Sequence, residues 1–177
     1  MKHLHQSDIA PIQSDMTHSP DQSPLSLPAL GWSAFFGDQL EPGEDTLTPM
    51  RVATVHRARM SAQSMYGPVR LTLPPQANTA DYAVGDWILV APDTRLIVRR
   101  LARKTLLQRR TEGGRGPQLI AANVDTLFIV SSCNDDLNPA RLERYLALAN
   151  EAETVPVIVV APEDDLLEKT VSNVQEV

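Results

Sequence analysis

Two kinds of hydrophobic pattern divide the chain. From residue 50 to residue 101 apolar residues alternate with polar ones in short runs, the period of half-buried strands. MRVATVH (50–56) is the first such run, with Val52 and Val55 expected inside. Residues 63–66 give a second, weakly marked strand. VRLTL (69–73) alternates cleanly, with Val69, Leu71 and Leu73 inward and Arg70 and Thr72 outward, and Pro74 and Pro75 end it. Residues 78–84 read as a loop or short turn. Gly85 and Asp86 then turn the chain into WILVA (87–91), with Asp86 capping the turn and Trp87 a core residue. Pro92 and Asp93 mark a further tight turn before RLIVRRL (95–101). Five short strands with an irregular connection before the fourth predict an OB-fold barrel over residues 49–110.

Beyond residue 117 the alternation gives way to continuous apolar runs at 127–130 and 155–160, the mark of parallel strands covered on both faces. Between them Asn138 is expected to cap a helix with Pro139 at its first position, and Leu142, Tyr145, Leu146 and Ala149 to face the sheet. This is one βαβ unit, and the fold class is β plus α/β: a five-stranded barrel followed by an α/β piece over 118–177. Between the two patterns, TEGGRGP (111–117) reads as a flexible joint; it lacks the G-x-x-x-x-G-K-[ST] spacing of a phosphate loop. Residues 1–29 are polar, Pro- and Ser-rich and aperiodic, and are expected to be disordered; His3, His5 and His18 belong to that tail. Residues 30–48 hold a short helix carrying Trp32, Phe35 and Phe36 on an aromatic docking face, then an acidic linker.

Charge sharpens this division. Residues 49–115 contain twelve Arg and Lys against four Asp and Glu, whereas the remainder contains four against eighteen. A basic barrel beside an acidic remainder points to a polyanion, nucleic acid first, the alternative being a solvated basic sheet with scattered ion pairs. Cys133, after a buried strand, is the only cysteine and reads as a packed or half-exposed thiol, so no internal disulfide or cysteine zinc cluster can form. No apolar run approaches the ~18–20 residues of a membrane span, and the N-terminus lacks the apolar core of a secretory signal. A cytoplasmic monomer without membrane contact is expected. His56 is the only histidine outside the tail, which excludes a catalytic triad.

Three stretches resemble the circularly permuted ribosome small-subunit biogenesis GTPases of the RsgA/YjeQ type: LGWSAFF near the start, VGDW at 84–87, and AANVDTLFIV followed by N-x-x-RLERYLALA, which covers 121–149. The resemblance implies a barrel that sits on the small ribosomal subunit and contacts its rRNA. It also implies a GTPase domain whose guanine-reading N-K-x-D comes first, directly after the strand at 155–160. A phosphate loop, switch segments and D-x-x-G would follow, with GTP and Mg²⁺ as ligands, and then a zinc-binding domain. At the N-K-x-D position this chain reads Ala161-Pro162-Glu163-Asp164. Asp164 stands where the guanine-reading carboxylate belongs, while Asn and Lys are missing. None of the later motifs occurs in the 177 residues. No cofactor is expected for the chain itself, and residues 166–177 read as a further helix.

An OB barrel binds nucleic acid on one sheet face and its rim loops. The candidate RNA contacts are Arg57 and Arg59 in the first hairpin, Arg70, and the run Arg99, Arg100, Arg103, Lys104, Arg109 and Arg110. Tyr66, and less so His56, are the candidates for stacking on a base. Three readings stay open: an rRNA-binding module without GTPase activity, part of a working GTPase completed by a separate polypeptide, or a regulator that binds an intact paralogue. The fragment 121–177 is expected to be marginal on its own, since one βαβ unit buries little apolar area.

Overall fold

The computed structural model describes residues 24–109, 116–132 and 138–161. Five strands form one antiparallel sheet: β1 (Thr48–His56), β2 (Arg59–Ser64), β3 (Gly67–Arg70), β4 (Trp87–Val90) and β5 (Ile97–Arg100). Their spatial order is β3-β2-β1-β4-β5. The sheet closes where Thr72, just past β3, bridges Leu96, just before β5, in the parallel sense. There the Thr72 N–H donates to the Arg95 carbonyl (2.8 Å), and the Ile97 N–H donates to the Thr72 carbonyl (3.1 Å). The circuit β1-β2-β3-β5-β4 and back to β1 is the Greek-key barrel of an OB fold, as the alternation predicts.

Val52 and Val55 both turn toward the barrel interior although they lie three residues apart. Strict alternation forbids this. The β1–β2 register slips between Val52 and Thr54, leaving Ala53 as the extra residue of a bulge that resets the inward parity. β2 corrects the expected strand at 63–66. It occupies Arg59–Ser64, and Met65 and Tyr66 form the turn that leads to Gly67 of β3. RMSAQS carries little hydrophobic signal; what makes it a strand is pairing on both sides, with β1 and with β3.

β4 is buried on both faces. Ile88 and Val90 join Met50, Val52, Met60, Ala62, Leu71 and Ile97 inside the barrel. Trp87 and Leu89 point the other way and are covered from outside by Phe36, with Leu27, Leu30 and Trp32 around them. Trp32 meets Trp87 edge-on at 4.8 Å between ring centroids, and Phe36 lies 5.8 Å from the same ring. The expected aromatic helix is thus a short α1 (Ala34–Gly37), docked through Trp32 and Phe36, with Phe35 left exposed. Ordered packing begins before residue 30, which corrects the tail boundary. The Leu25 N–H donates to the Met65 carbonyl, and Pro28–Leu30 forms a 3-10 turn against the aromatic cluster. Three leucines in six residues supply the apolar anchors that the polar composition masks. Residues 1–23 lie outside the described residues.

Past the barrel, β6 (Leu106–Arg109) and β7 (Gln118–Ala122) pair antiparallel. The glycine-rich stretch expected to separate two domains therefore connects the arms of a hairpin; residues 110–115, Arg110 among them, lie outside the described residues. β8 (Thr126–Ser132), α2 (Pro139–Glu151) and β9 (Val155–Ala161) follow, with β8 and β9 parallel and in register from Thr126↔Val155 to Ser132↔Ala161. Asn138 caps α2 by accepting the Arg141 N–H on Oδ1 (3.0 Å), and Pro139 takes the first helical position. The βαβ unit is as expected, but its coverage is not. Ile129 is buried, whereas Phe128 and Val130, on the opposite face, are 64% and 67% exposed. Tyr145, expected against the sheet, is 45% exposed. Cys133, Asp164 and the helix expected at 166–177 lie outside the described residues. Among the described residues no helix is long and apolar enough to cross a membrane.

Candidate nucleic-acid interface

The strand register assembles a polar face from scattered sequence positions. Thr54 pairs with Ser61, and Ser61 with Arg70, so the three side chains form one row across β1, β2 and β3. His56 and Arg59 pair in the next row. The Thr54 and Ser61 hydroxyls lie 2.7 Å apart and hydrogen-bond. Together with Met60 beneath, these residues line an open depression of about 300 Å³ on the outer face of the barrel. Arg59 and Arg70 are exposed, and neither forms an ion pair among the described residues. Two adjacent uncompensated guanidiniums over a polar floor are suited to phosphate oxygens, which they engage with charge-assisted forks.

The other predicted contacts separate into two groups. Arg57 sits at the tip of the β1–β2 hairpin, next to His56, and Arg100 on β5; both are exposed and free of ion pairs among the described residues. Tyr66 is 71% exposed at the far end of β2 from Arg59, roughly 17 Å along the strand, so it stands apart from the arginine rows. Arg99 and Arg103 are built into the structure. The Arg99 fork holds Glu44, with Nε to Oε1 at 2.7 Å, and also donates to the Gln39 carbonyl. These bonds, then the Glu41 N–H, hold the Glu44 carboxyl below the usual range, and Glu44 in turn raises Arg99 above its ordinary value. Arg103 grips Asp86 through Nε (2.6 Å) and Nη2 (2.7 Å) and donates to the Asp81 carbonyl. Lys104 pairs with Asp125 at 2.8 Å, and Arg109 donates to Gln118 Oε1. Apart from Arg100, the basic run at 99–109 is thus tied to carboxylates and amides, whereas Arg57, Arg59 and Arg70 leave free charge on the β1–β2–β3 side.

Sequence reasoning missed the joint that fixes this barrel against the following hairpin. Asn123, in a left-handed backbone conformation (φ 57°), is its centre. The Asn123 side chain donates to the Gly85 carbonyl (3.0 Å) and accepts the Lys104 N–H (2.8 Å), while its own carbonyl accepts from Arg51 (3.0 Å). Arg51 reaches the Leu30 carbonyl with its other arm. Gly85 (φ 91°) passes so close to β7 that a Cβ would fall inside the shell of the Ala122 carbonyl oxygen, so no other residue fits there. Asp86, wholly buried, accepts the Ala83 N–H on Oδ2 (2.8 Å), the expected cap of the turn, and Arg103 neutralises it. The three stretches that carry the family resemblance therefore meet in space: Leu30 and Trp32, Gly85 to Trp87, and Ala122 with Asn123.

A second depression, of about 340 Å³, opens on the other side of His56. It lies between the β1–β2 hairpin, the segment 79–84 and β7, and Val55, Arg57, Tyr82, Val84, Gln118 and Ile120 are among its lining residues. Burial raises the Tyr82 hydroxyl above its ordinary pKa, and the nearby Arg100 charge opposes that shift.

Comparison with known proteins places this arrangement. Residues 100–177 match the model of the RsgA GTPase family. The chain is 65% identical over 139 residues to the small ribosomal subunit biogenesis GTPase RsgA of Mesorhizobium japonicum, covering 78% of this chain and 40% of that protein. It is 40% identical over 154 residues to RsgA 2 of Vibrio parahaemolyticus, covering 85% and 42%. YjeQ from Thermotoga maritima superposes with a TM-score of 0.49 at 22% identity, over 74% of this chain and 48% of that one, a likeness too distant to add to the strand order. The chain spans about two fifths of the length of the curated relatives it matches. With the matched sequence running through the barrel joint and into the βαβ unit, the chain belongs to the RsgA family.

Proposed function

We propose that these 177 residues act as an rRNA-binding module in small ribosomal subunit biogenesis, in the cytoplasm, and do not hydrolyse GTP by themselves. One observation carries the reading: Arg59 and Arg70 stand free over a polar depression on the outer face of an OB barrel, while Arg99, Arg103 and Lys104 are paired with carboxylates. Such a face binds polyanions through phosphate contacts and shows strong salt dependence. The names of the relatives supply the polyanion, the small ribosomal subunit. The absence of a G-x-x-x-x-G-K-[ST] stretch in these residues supports the lack of turnover, since the phosphate cradle and Mg²⁺ ligands carry most of phosphoryl-transfer catalysis.

Co-sedimentation with purified small and large subunits at low and physiological salt tests this reading. Retention on the small subunit at physiological salt is expected, and the Arg59→Ala/Arg70→Ala double variant should lower the slope of log affinity against log salt by about 2. Equal, salt-labile binding to both subunits would reduce the face to generic charge. Mg²⁺-dependent GTP turnover by the purified chain would overturn the second half of the proposal.

A second reading rests on the βαβ unit. Phe128 and Val130 leave an apolar sheet face open, and parallel sheets are ordinarily covered on both faces. That favours a GTPase fold in which further residues, in the same or another polypeptide, complete the layer. Protection of Phe128 and Val130 from solvent on mixing with a polypeptide that carries the G-x-x-x-x-G-K-[ST] segment would support it.

A further inference from the structure

His56 lines both depressions, so they form one track. It begins at Arg70 and Arg59 on the barrel face, crosses the end of β1, and descends between Arg57 and β7. The two ends differ in chemistry. The barrel end is polar and cationic. The far end sets the apolar side chains of Val55, Val84 and Ile120, with Val84 and Ile120 left more than 40% exposed, beside polar ones from Arg57, Thr79, Tyr82 and Gln118. Its volume falls within the ~300–1,000 Å³ of small-ligand pockets.

The walls are fixed. Asn78 Oδ1 caps the 3-10 turn Thr79–Asp81 by accepting the Ala80 N–H (3.0 Å). The Thr79 hydroxyl donates to the Arg57 carbonyl (3.2 Å), which ties the hairpin tip to that turn. β7 is held opposite by the Ala122 N–H on the Val84 carbonyl (2.8 Å) and by the Val84–Ala121 bridge. A cleft that combines apolar side chains, a cation and hydrogen-bonding groups suits an unstacked base, the form in which single-stranded RNA is read.

We propose that this cleft receives one nucleobase of a single-stranded RNA whose backbone runs over Arg59 and Arg70. The proposal rests on the RNA-binding reading above and adds a subsite to it. The base lies against Val84 and Ile120, its edge meets Tyr82 and Gln118, and Arg57 takes the adjoining phosphate. Because one wall is β7, a bound strand bridges the barrel and the hairpin that leads through Asn123 into β8.

The test is direct binding of the 177-residue chain to a fluorescein-labelled, unstructured 12-nucleotide RNA, measured across a salt series. Ala80→Trp fills the cleft from an exposed wall position, and Tyr82→Phe removes only the rim hydroxyl. Ala80→Trp should therefore weaken binding about tenfold, about 1.4 kcal/mol, with the salt slope unchanged, and Tyr82→Phe should weaken it less, in the same manner. A 4-thiouridine in the RNA should crosslink to the peptide holding Tyr82 or to that holding Ile120. If both variants bind like the parent while Arg59→Ala/Arg70→Ala loses affinity and slope, the cleft proposal fails and the barrel-face reading stands. If the parent chain does not bind the RNA at all, both fail. A variant that weakens binding by lowering the slope would also overturn the base-slot assignment, because phosphate contacts would then be responsible.

Discussion

The barrel and the βαβ unit are built from similar apolar strands and end in opposite states. β4 buries Trp87, Ile88, Leu89 and Val90 to 1% exposure or less, because the barrel closes on one face and the aromatic strap covers the other. β8 and β9 are as rich in Val, Ile and Phe, yet Phe128 and Val130 leave one face of β8 open, and Ile158, Val159 and Val160 of β9 stay at least 40% exposed. Hydrophobic sequence therefore fixes what a strand can bury, and topology decides what it does bury. The difference is testable at single residues. Trp87→Ala removes a side chain in contact with Trp32 and Phe36, and should destabilise the chain by about 3–5 kcal/mol. Phe128→Ala removes a ring already in water and should change stability by less than about 0.5 kcal/mol. Thermal denaturation of the two variants measures the contrast. Equal losses would mean that the open face is covered in solution.

The arginines repeat the contrast within the barrel. Arg103 faces a carboxylate with no solvent exposure, whereas Arg59 faces open water. Arg103→Ala leaves Asp86 buried without its partner, a change that costs about 3–5 kcal/mol in comparable pairs. It should also loosen the Gly85 turn that Asp86 caps. Arg59→Ala should leave the melting curve almost unmoved and act on RNA affinity alone. Urea denaturation of the two variants at one pH separates the roles. A stable Arg103→Ala chain with weakened RNA binding would return Arg103 to the binding surface.

What was legible in the sequence follows the same line. WILV announced a core strand, and VRLTL gave its inward and outward sets, because their local pattern agrees with their burial. The Asn138–Pro139 helix start was equally plain. β2 was misplaced because its six residues are mostly polar and are held by neighbours on both sides. The β6–β7 hairpin was missed because glycines that loosen a linker also serve a hairpin connection. Of the candidate contacts, Arg59 and Arg70 come to one depression through a register that local spacing cannot supply, whereas Arg99 and Arg103 find carboxylates 55 and 17 residues away. A count of basic residues gives the charge of a segment; only the fold says which charges are already answered.

The smallest expected effect concerns Arg99 and Glu44, which fasten the acidic linker to β5. Glu44 titrates below the ordinary carboxylate range because Arg99 and the Glu41 N–H stabilise its charged form. Its folded pKa thus lies under its unfolded one. The contribution of the pair is fully present above the unfolded carboxylate value and is lost as pH falls through the lowered folded value. Glu44→Gln removes this dependence. The parent should lose stability between neutral pH and the acid limb slightly more steeply than the variant, and the two curves should converge at the most acid end. The pair is close to solvent, so salt should shrink the gap. A gap that widened on acidification would mean that Glu44 is stabilised in its protonated form, and that the linker is held by the Gln39 and Ala102 contacts rather than by charge.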